Sequence, residues 1–182
     1  TELDQDIQSG LEKVFRQDHL FPDRASDVLV QSGSVLLDPE NGGVRALVGG
    51  RGEKVFRGFN RATHLRAQPG STMKPLAVYT PALEEGYKYD SMLVDKKMSF
   101  KNYSPKNFSD TYQGEVPMYE AVEKSINIPA VWLLNEIGLN KGIDAVRRFG
   151  IKVEKEDQNL ALALGGMHNG VSPLKMAEAY SV

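Results

Sequence analysis

Cysteine, long apolar runs and an excess of positive charge are all missing from this 182-residue sequence. Without cysteine the chain can form no disulfide framework, and its three histidines have no spacing that suggests a shared metal site. No run of about 18 apolar residues marks a membrane-spanning helix, and no charged-then-apolar signal peptide begins at residue 1. The net charge of −2 argues against nucleic acid as the main partner. Because cysteine is absent and the histidines show no metal-binding spacing, we predict no metal, and we predict no other cofactor.

The composition that remains is that of an ordinary soluble globular protein, with 41% hydrophobic and 25% charged residues. A chain of 182 residues is long enough for one domain with a sizeable core. Apolar residues spaced three and four apart predict an N-terminal helix that runs to about His19 and is broken at Phe21-Pro22-Asp23. Residues 28–37 and 44–48 are rich in valine and leucine and flank a turn at 38–43, which predicts a β-hairpin.

Helices dominate the prediction after a loop from Gly49 to about Pro69. A mostly buried helix is expected from Ser71 to about Glu85, with a kink or a division at Pro81. Residues 87–116 lack periodicity and are predicted to form an irregular excursion over the face that carries Ser71. Four further helices are predicted at 117–123, 128–137, 142–149 and 173–180, the last with Ser172 as its N-cap.

Ser71-Thr72-Met73-Lys74 is the segment whose residue types point most directly to chemistry. At helical spacing, a serine three residues before a lysine places both side chains on one face, about one turn apart. An unprotonated lysine can take the proton of a serine hydroxyl, which predicts Ser71 as a nucleophile and Lys74 as its general base. A lysine at its reference pKa of about 10.4 is almost fully protonated at neutral pH. The role therefore requires a pKa lowered by burial, or proton transfer through hydrogen bonds.

A second short motif, Ser125-Ile126-Asn127, follows further along the chain. S-x-x-K with a serine-x-asparagine element and a Lys-Thr-Gly is the signature of penicillin-binding proteins and class A β-lactamases. The sequence resembles the transpeptidase domain of class A, bifunctional, high-molecular-weight penicillin-binding proteins, and we expect a Gram-positive source. The resemblance covers nearly the whole chain in ordered blocks at 59–63, 66–75, 103–107, 114–131, 163–166 and 170–177.

This resemblance implies an α/β (α+β) fold of the penicillin-binding protein and serine β-lactamase type, in which an antiparallel sheet packs against helices. It implies that residues 1–27 are a lead-in helix and linker from an absent glycosyltransferase domain. Residues 28–182 are then the N-terminal portion of the transpeptidase domain. The sequence contains no Lys-Thr-Gly, and its only Lys-Gly pair is Lys141-Gly142. We therefore expect only the first part of the domain to be present.

The resemblance also implies a role for each motif residue. Ser71 would attack the carbonyl carbon of the penultimate D-alanine of a peptidoglycan stem peptide, with Lys74 as the general base. Ser125 would relay a proton between the lysine and the leaving nitrogen, and Asn127 would hydrogen-bond the substrate amide. The oxyanion hole would combine the N–H of Ser71 with a second N–H from the strand that carries Lys-Thr-Gly.

The implied function is D,D-transpeptidation that cross-links peptidoglycan, with stem peptides as donor and acceptor and β-lactams as covalent inhibitors. The remainder of the domain, which carries Lys-Thr-Gly, is an expected partner. The expected location is the outer face of the bacterial cell membrane, with an anchor that precedes this chain. A D,D-carboxypeptidase is an alternative that uses the same residues. A β-lactam-sensing domain acylated without turnover is a second alternative, which the lead-in at Thr1–Gln8 disfavours. A non-catalytic cell-wall scaffold is a third, against which the four intact motif residues argue. Steady release of D-alanine from a stem-peptide mimic would separate an enzyme from a sensor.

Two further patterns are assigned to structure. Glu136-Ile137-Gly138-Leu139-Asn140 resembles the element that carries the deacylating glutamate of class A β-lactamases. It begins too soon after Asn127 to form their separate loop, so it is predicted to be the end of a helix. Without such a glutamate, an acyl-enzyme formed from penicillin should hydrolyse slowly. Gly165-Gly166 is too short for a phosphate-binding loop and is expected to serve tight packing or a turn.

Overall fold

The structure of the chain is a computed structural model that describes residues 2–22, 28–53 and 55–181. The chain forms two compact units, one of residues 1–67 with 171–182 and the other of residues 68–170. Thr1 and Asp23, which entered the predictions for the N-terminal helix, lie outside the described residues. Among the described residues, no helix has both the length and the apolar character needed to cross a bilayer.

The first unit begins with helix α1, Gln5–Phe15, which is shorter than predicted. Asp4 caps it, because its Oδ1 accepts hydrogen bonds from the N–H groups of Asp6 and Ile7, both at 3.0 Å. The prediction that the helix reaches His19 is wrong: Asp18–Leu20 is a separate 3₁₀ turn. After the turn, the ring of Phe21 packs edge-on against Phe15, with centroids 5.6 Å apart.

The predicted hairpin is confirmed, with strand β1 at Ser34–Leu37 and strand β2 at Val44–Val48. The strands pair antiparallel, from Ser34 opposite Val48 to Leu37 opposite Val44. The first strand starts later than predicted. The loop predicted from 49 to 69 is interrupted by a short helix, α2 at Arg61–His64, whose cap is Asn60. In the same unit α7, Pro173–Tyr180, packs on β1 and has the predicted N-cap Ser172.

The second unit starts with the segment that carries the S-x-x-K motif. The helix predicted there, with a kink or a division at Pro81, is divided into three parts. Gly70–Met73 is a 3₁₀ turn, Pro75–Tyr79 a π-helical turn, and α3 occupies Thr80–Glu84. Pro81 has no N–H, and its ring would clash with the carbonyl four residues earlier in a regular α-helix. The wider π turn just before Pro81 keeps the chain helical in spite of the proline.

Residues 87–116 contain two strands that the sequence analysis missed. Strand β3 is Met92–Asp95, and strand β4 is Gly114–Pro117. They pair antiparallel, from Met92 opposite Pro117 to Asp95 opposite Gly114. Each strand has only four residues, and a long irregular connection separates them, so no alternating pattern of useful length exists in the sequence. The irregularity predicted for the whole segment holds for that connection.

The remaining helices of this unit agree with the predictions in place and differ in length. Helix α4 is Met118–Glu123, α5 is Asn127–Ile137, and α6 is Leu139–Arg148, which begins earlier than predicted. A 3₁₀ helix at Leu160–Leu164 was not predicted. Helix α5 is the centre of the unit and packs against β3, α6 and the 3₁₀ helix. Fully buried side chains of this unit include Ile128, Val131, Leu133 and Leu134 of α5 itself, with Val78, Leu93, Val116 and Leu162 from other elements.

The predicted class, antiparallel strands packed against helices, is confirmed in both units. The strands form two separate two-stranded antiparallel sheets, β1-β2 in the first unit and β3-β4 in the second. Helices α1 and α7 pack on the first sheet, and α5 packs on the second.

Candidate active site

Lys74 is the buried centre of the candidate site. It follows the 3₁₀ turn that carries Ser71, and the residue as a whole is 2% exposed. Its Nζ donates to the carbonyl oxygen of Ser125 at 2.5 Å and to the Ser125 hydroxyl at 3.0 Å. A third hydrogen bond goes to Oδ1 of Asn127 at 2.8 Å. The tertiary structure therefore brings the second motif onto the lysine of the first.

The electrostatic environment of Lys74 suits a proton acceptor better than an exposed lysine would. Burial lowers the pKa of Lys74 from 10.5 to about 8, because taking an ammonium group out of water disfavours its charged form. All three acceptors around Nζ are uncharged. Among the residues that the structure describes, no carboxylate pairs with the ammonium form.

Ser125 lies in the connection between α4 and α5 in an unusual backbone conformation. Its φ is +51°, in the left-handed region that costs a non-glycine residue about 1 kcal/mol. The N–H groups of Ser125 and Ile126 donate to the carbonyl oxygens of Val122 and Ala121, at 3.1 and 3.0 Å. This tight turn at the end of α4 directs both the carbonyl and the hydroxyl of Ser125 towards Lys74.

Asn127 is the first residue of α5, and both ends of its amide have partners. Oδ1 accepts from Lys74, and Nδ2 donates to the carbonyl oxygen of Lys106 at 2.9 Å. These partners fix the orientation of the amide, because only oxygen can accept from the lysine and only nitrogen can donate to a carbonyl. One hydrogen of Nδ2 remains for another acceptor, such as a substrate carbonyl.

Ser71 lies in the 3₁₀ turn Gly70–Met73 and is exposed. The backbone N–H of Lys74 donates to the carbonyl oxygen of Ser71. Within residues 2–22, 28–53 and 55–181, the Ser71 hydroxyl forms no hydrogen bond, so the structure does not join it to Nζ of Lys74 as it joins Ser125 and Asn127. Ser71 is therefore exposed on the turn before Lys74 and is not part of the hydrogen-bonded cluster.

Gly165 supports the turn that carries Ser71, a role that the sequence analysis did not foresee. It ends the 3₁₀ helix Leu160–Leu164 with a φ of +73°. A Cβ at this position would lie 2.4 Å from both the N and the O atoms of Gly70. The expected tight packing at Gly165-Gly166 is thus confirmed, and its partner is the residue before Ser71. The block at 163–166 was the sequence signal for it.

The other residues singled out in the sequence do not join this cluster. Glu136 is exposed on the last turn of α5, just before the helix ends at Gly138, which confirms its assignment to the end of a helix. The described ranges hold no group of three or more histidine, aspartate or glutamate side chains that could bind a metal ion.

Over residues 33–182 the sequence matches the family described as "Penicillin binding protein transpeptidase domain". Penicillin-binding protein 2a of Streptococcus pneumoniae is 42% identical over 187 residues, which covers 100% of this chain and 25% of that protein. Penicillin-binding protein 1F of Bacillus subtilis is 43% identical over 179 residues, which covers 98% of this chain and 24% of that protein. The PonA1 protein of Mycobacterium tuberculosis in complex with penicillin V has a similar structure, with a TM-score of 0.81 and 25% identity. That alignment covers 100% of this chain and 49% of PonA1.

The chain therefore spans about a quarter of the length of these curated relatives. Relatives come from Gram-negative as well as Gram-positive bacteria, so the Gram-positive source stays a prediction. The family match begins within the predicted hairpin and continues to the last residue. The chain belongs to the penicillin-binding protein transpeptidase family and is homologous to the N-terminal part of that domain in class A penicillin-binding proteins.

Proposed function

We propose that this protein is a peptidoglycan D,D-transpeptidase that works through an acyl-enzyme on Ser71. Family membership supports transpeptidation and β-lactam binding in general terms. The observation that carries the finer proposal is the set of three hydrogen bonds from the buried Lys74 to Ser125 and Asn127. A lysine with a lowered pKa, three residues after an exposed serine, supplies the two groups that serine acylation requires.

The chemistry begins with the unprotonated form of Lys74, which donates to two of the three acceptors and keeps its lone pair for the proton of Ser71. As Ser71 Oγ attacks the carbonyl carbon of the penultimate D-alanine, its proton passes to Nζ of Lys74. The tetrahedral intermediate then collapses, the C–N bond to the terminal D-alanine breaks, and the leaving nitrogen takes a proton through the Ser125 hydroxyl. An amine of a neighbouring stem peptide attacks the ester in turn, and the proton transfers run in reverse. The product is a new amide bond, and Ser71 is free again.

Asn127 holds the substrate in this scheme. Its amide is oriented by Lys74 and Lys106, which leaves one hydrogen of Nδ2 for a carbonyl oxygen of the stem peptide. The N–H of Ser71 supplies one donor of the oxyanion hole. We propose that the second donor, and recognition of the substrate carboxylate, come from a strand carrying Lys-Thr-Gly, which this sequence does not contain.

The wider setting is proposed on the same basis. Residues 28–182 would be the N-terminal portion of the transpeptidase domain, and residues 1–27 the lead-in from a glycosyltransferase domain. The protein would act at the outer face of the bacterial cell membrane, with an anchor outside these residues. Its partners would be D-Ala-D-Ala stem peptides and, as covalent inhibitors, β-lactams.

The test is intact-mass spectrometry of the whole protein as the cell makes it, with and without benzylpenicillin. We expect an adduct of the mass of the drug on the peptide that contains Ser71, and no adduct in Ser71→Ala. The matched control is Thr72→Ala, which removes the neighbouring hydroxyl of the same turn and should still be labelled. An unlabelled wild-type protein, or equal labelling of Ser71→Ala, would contradict the acyl-enzyme.

Turnover separates the remaining alternatives. Release of D-alanine from a stem-peptide mimic, with formation of a cross-linked product when an amine acceptor is supplied, identifies a transpeptidase. Release with water as the only acceptor identifies a carboxypeptidase. Labelling by penicillin without any release of D-alanine identifies a sensing domain.

A further inference from the structure

The first turn of helix α5 is capped by a side chain from a distant part of the chain. Ile126 occupies the N-cap position, and its side chain has no atom that accepts a hydrogen bond. The N–H of Ile128 donates instead to Oδ1 of Asn107, at 3.0 Å and in a buried position. A buried N–H without a partner would cost the full desolvation of that group. Asn107 therefore supplies an acceptor that the local sequence of α5 lacks.

The buried Asp95 fixes the orientation of the Asn107 amide. Nδ2 of Asn107 donates to Oδ1 of Asp95 at 2.7 Å and to the carbonyl oxygen of Thr111 at 2.8 Å. Asp95 ends strand β3, is 1% exposed, and accepts through Oδ2 from the N–H of Gln113 at 2.9 Å. A carboxylate accepts hydrogen bonds and donates none. Only the nitrogen of Asn107 can face it, so the oxygen must face Ile128.

The same segment also holds Asn127. The carbonyl oxygen of Lys106 accepts from Nδ2 of Asn127 at 2.9 Å, and Oδ1 of Asn127 accepts from Nζ of Lys74 at 2.8 Å. Two consecutive residues, 106 and 107, thus bind the first two residues of α5. The contact between Asn127 and Lys74 consequently depends on residues 106–107, which Asp95 holds in place through its hydrogen bond with Asn107.

We infer that Asn107 and Asp95 are positioning residues for acylation, which hold the first turn of α5 so that Ser125 and Asn127 stay on Lys74. This inference rests on the proposed function. Neither residue touches the reacting atoms, because both act through the N–H of Ile128 and the turn that precedes it. Loss of the cap lets the turn at 125–128 loosen and lets water reach Lys74.

The consequence for Lys74 distinguishes positioning from ordinary stabilisation. The acceptors on Nζ of Lys74 come from the 125–127 segment and are uncharged. Burial is therefore the cause of the lowered pKa of Lys74. Water at Nζ restores the solvation of the ammonium group and moves the pKa back towards 10.5. A change that only destabilises the fold elsewhere leaves this pKa where it is.

The experiment measures the second-order rate constant of acylation by benzylpenicillin against pH, in the whole protein, for Asn107→Ala and a matched control. The control is Ser172→Ala, which also removes a buried side-chain acceptor that caps a helix, the N-cap of α7, whose Oγ accepts from Lys175 N at 3.2 Å. We expect Asn107→Ala to acylate at least about tenfold more slowly at neutral pH and its rate to rise at a higher pH than in the wild type. Ser172→Ala should keep the wild-type profile.

Exchange of the two side chains provides a rescue. Asp95→Asn alone removes the carboxylate that orients Asn107 and should change the profile in the same direction. In the pair Asp95→Asn with Asn107→Asp, the aspartate accepts from the N–H of Ile128 and from the new asparagine, but it can no longer donate to the carbonyl oxygen of Thr111. We therefore expect part of the rate and profile lost in Asp95→Asn to return. This pair also keeps the test decisive if Asn107→Ala does not fold.

The outcomes separate the two proposals. A wild-type protein that is not acylated at Ser71 overturns the proposed function and the inference with it. A wild type that is acylated, with Asn107→Ala behaving like Ser172→Ala in rate and pH profile per folded molecule, overturns the inference alone. Failure of the exchanged pair to recover any of the loss seen in Asp95→Asn also contradicts it.

Discussion

The pKa of Lys74 leads to a quantitative prediction for the reaction of the wild-type protein. If unprotonated Lys74 takes the proton of Ser71, the acylation rate follows the fraction of Lys74 without a proton. With the pKa at about 8, about one molecule in ten is in that form at neutral pH. At the ordinary value of 10.5 the fraction would be about one in 3,000. Burial therefore increases the reactive fraction about 300-fold.

The assay is the rate of benzylpenicillin acylation between about pH 6 and pH 10. We expect the rate to rise about tenfold per pH unit at the acidic end and to level off above pH 8. Lys74→Arg should abolish the rise and almost all of the activity, because a guanidinium stays protonated throughout this range. The matched control is Lys101→Arg, which changes an exposed lysine of the same unit and should keep the wild-type profile.

Two results would refute this reasoning. A rate that is flat from about pH 6 to pH 10 would show that no group with a pKa near 8 controls acylation. A rise centred near 10.5 would show that Lys74 reacts as an ordinary solvated lysine.

The lowered pKa of Lys74 also makes the stability of the fold depend on pH. Because folding lowers it, the contribution of Lys74 to stability is smallest below pH 8 and grows as the pH rises towards 10.5.

Two further substitutions test the packing around the site. Gly165→Ala places a Cβ 2.4 Å from the N and O atoms of Gly70 and should lower the acylation rate about tenfold or more. The control is Gly86→Ala, which has a similar positive φ with open space around it and should not lower the rate. Equal rates in both variants would contradict a role for Gly165 in holding the turn of Ser71. Tyr79→Phe removes a buried hydroxyl that has no hydrogen-bond partner within residues 2–22, 28–53 and 55–181. Thermal unfolding should therefore show no loss of stability or a gain of up to about 1 kcal/mol. A clear loss would show that the hydroxyl has a partner.

Much of the fold followed from local sequence. The hairpin at 34–48 was predictable because two valine- and leucine-rich segments flank a turn of aspartate, proline, asparagine and glycine. Helices α4, α5 and α7 were predictable for similar reasons, since proline marks the start of α4 and α7 and glycine the end of α5. Strands β3 and β4 were not, because four residues are too few for a periodic signal and their pairing partners lie far apart in the sequence.

The candidate site, like the fold, was predictable from the sequence only in part. Ser71, Lys74, Ser125 and Asn127 could be named from two short motifs and the order of the blocks around them. Their roles stay predictions, but their placement is informative: three of the four form one hydrogen-bonded cluster, and Ser71 lies exposed on the turn before Lys74. No role could be assigned to Asp95 and Asn107, and the packing partner of Gly165 could not be named, because each contacts a residue distant in sequence.

The sequence by itself determined the family and the residue types of the chemistry, since motifs, spacing and order are properties of the chain. It determined where most helices end, because proline and glycine act on their immediate neighbours. The burial of Lys74 was decided only by the tertiary structure, because desolvation depends on every element that packs around the ammonium group. The external cap of α5 was decided there too, since a hydrogen bond between Asn107 and Ile128 exists only once the fold brings them to 3.0 Å.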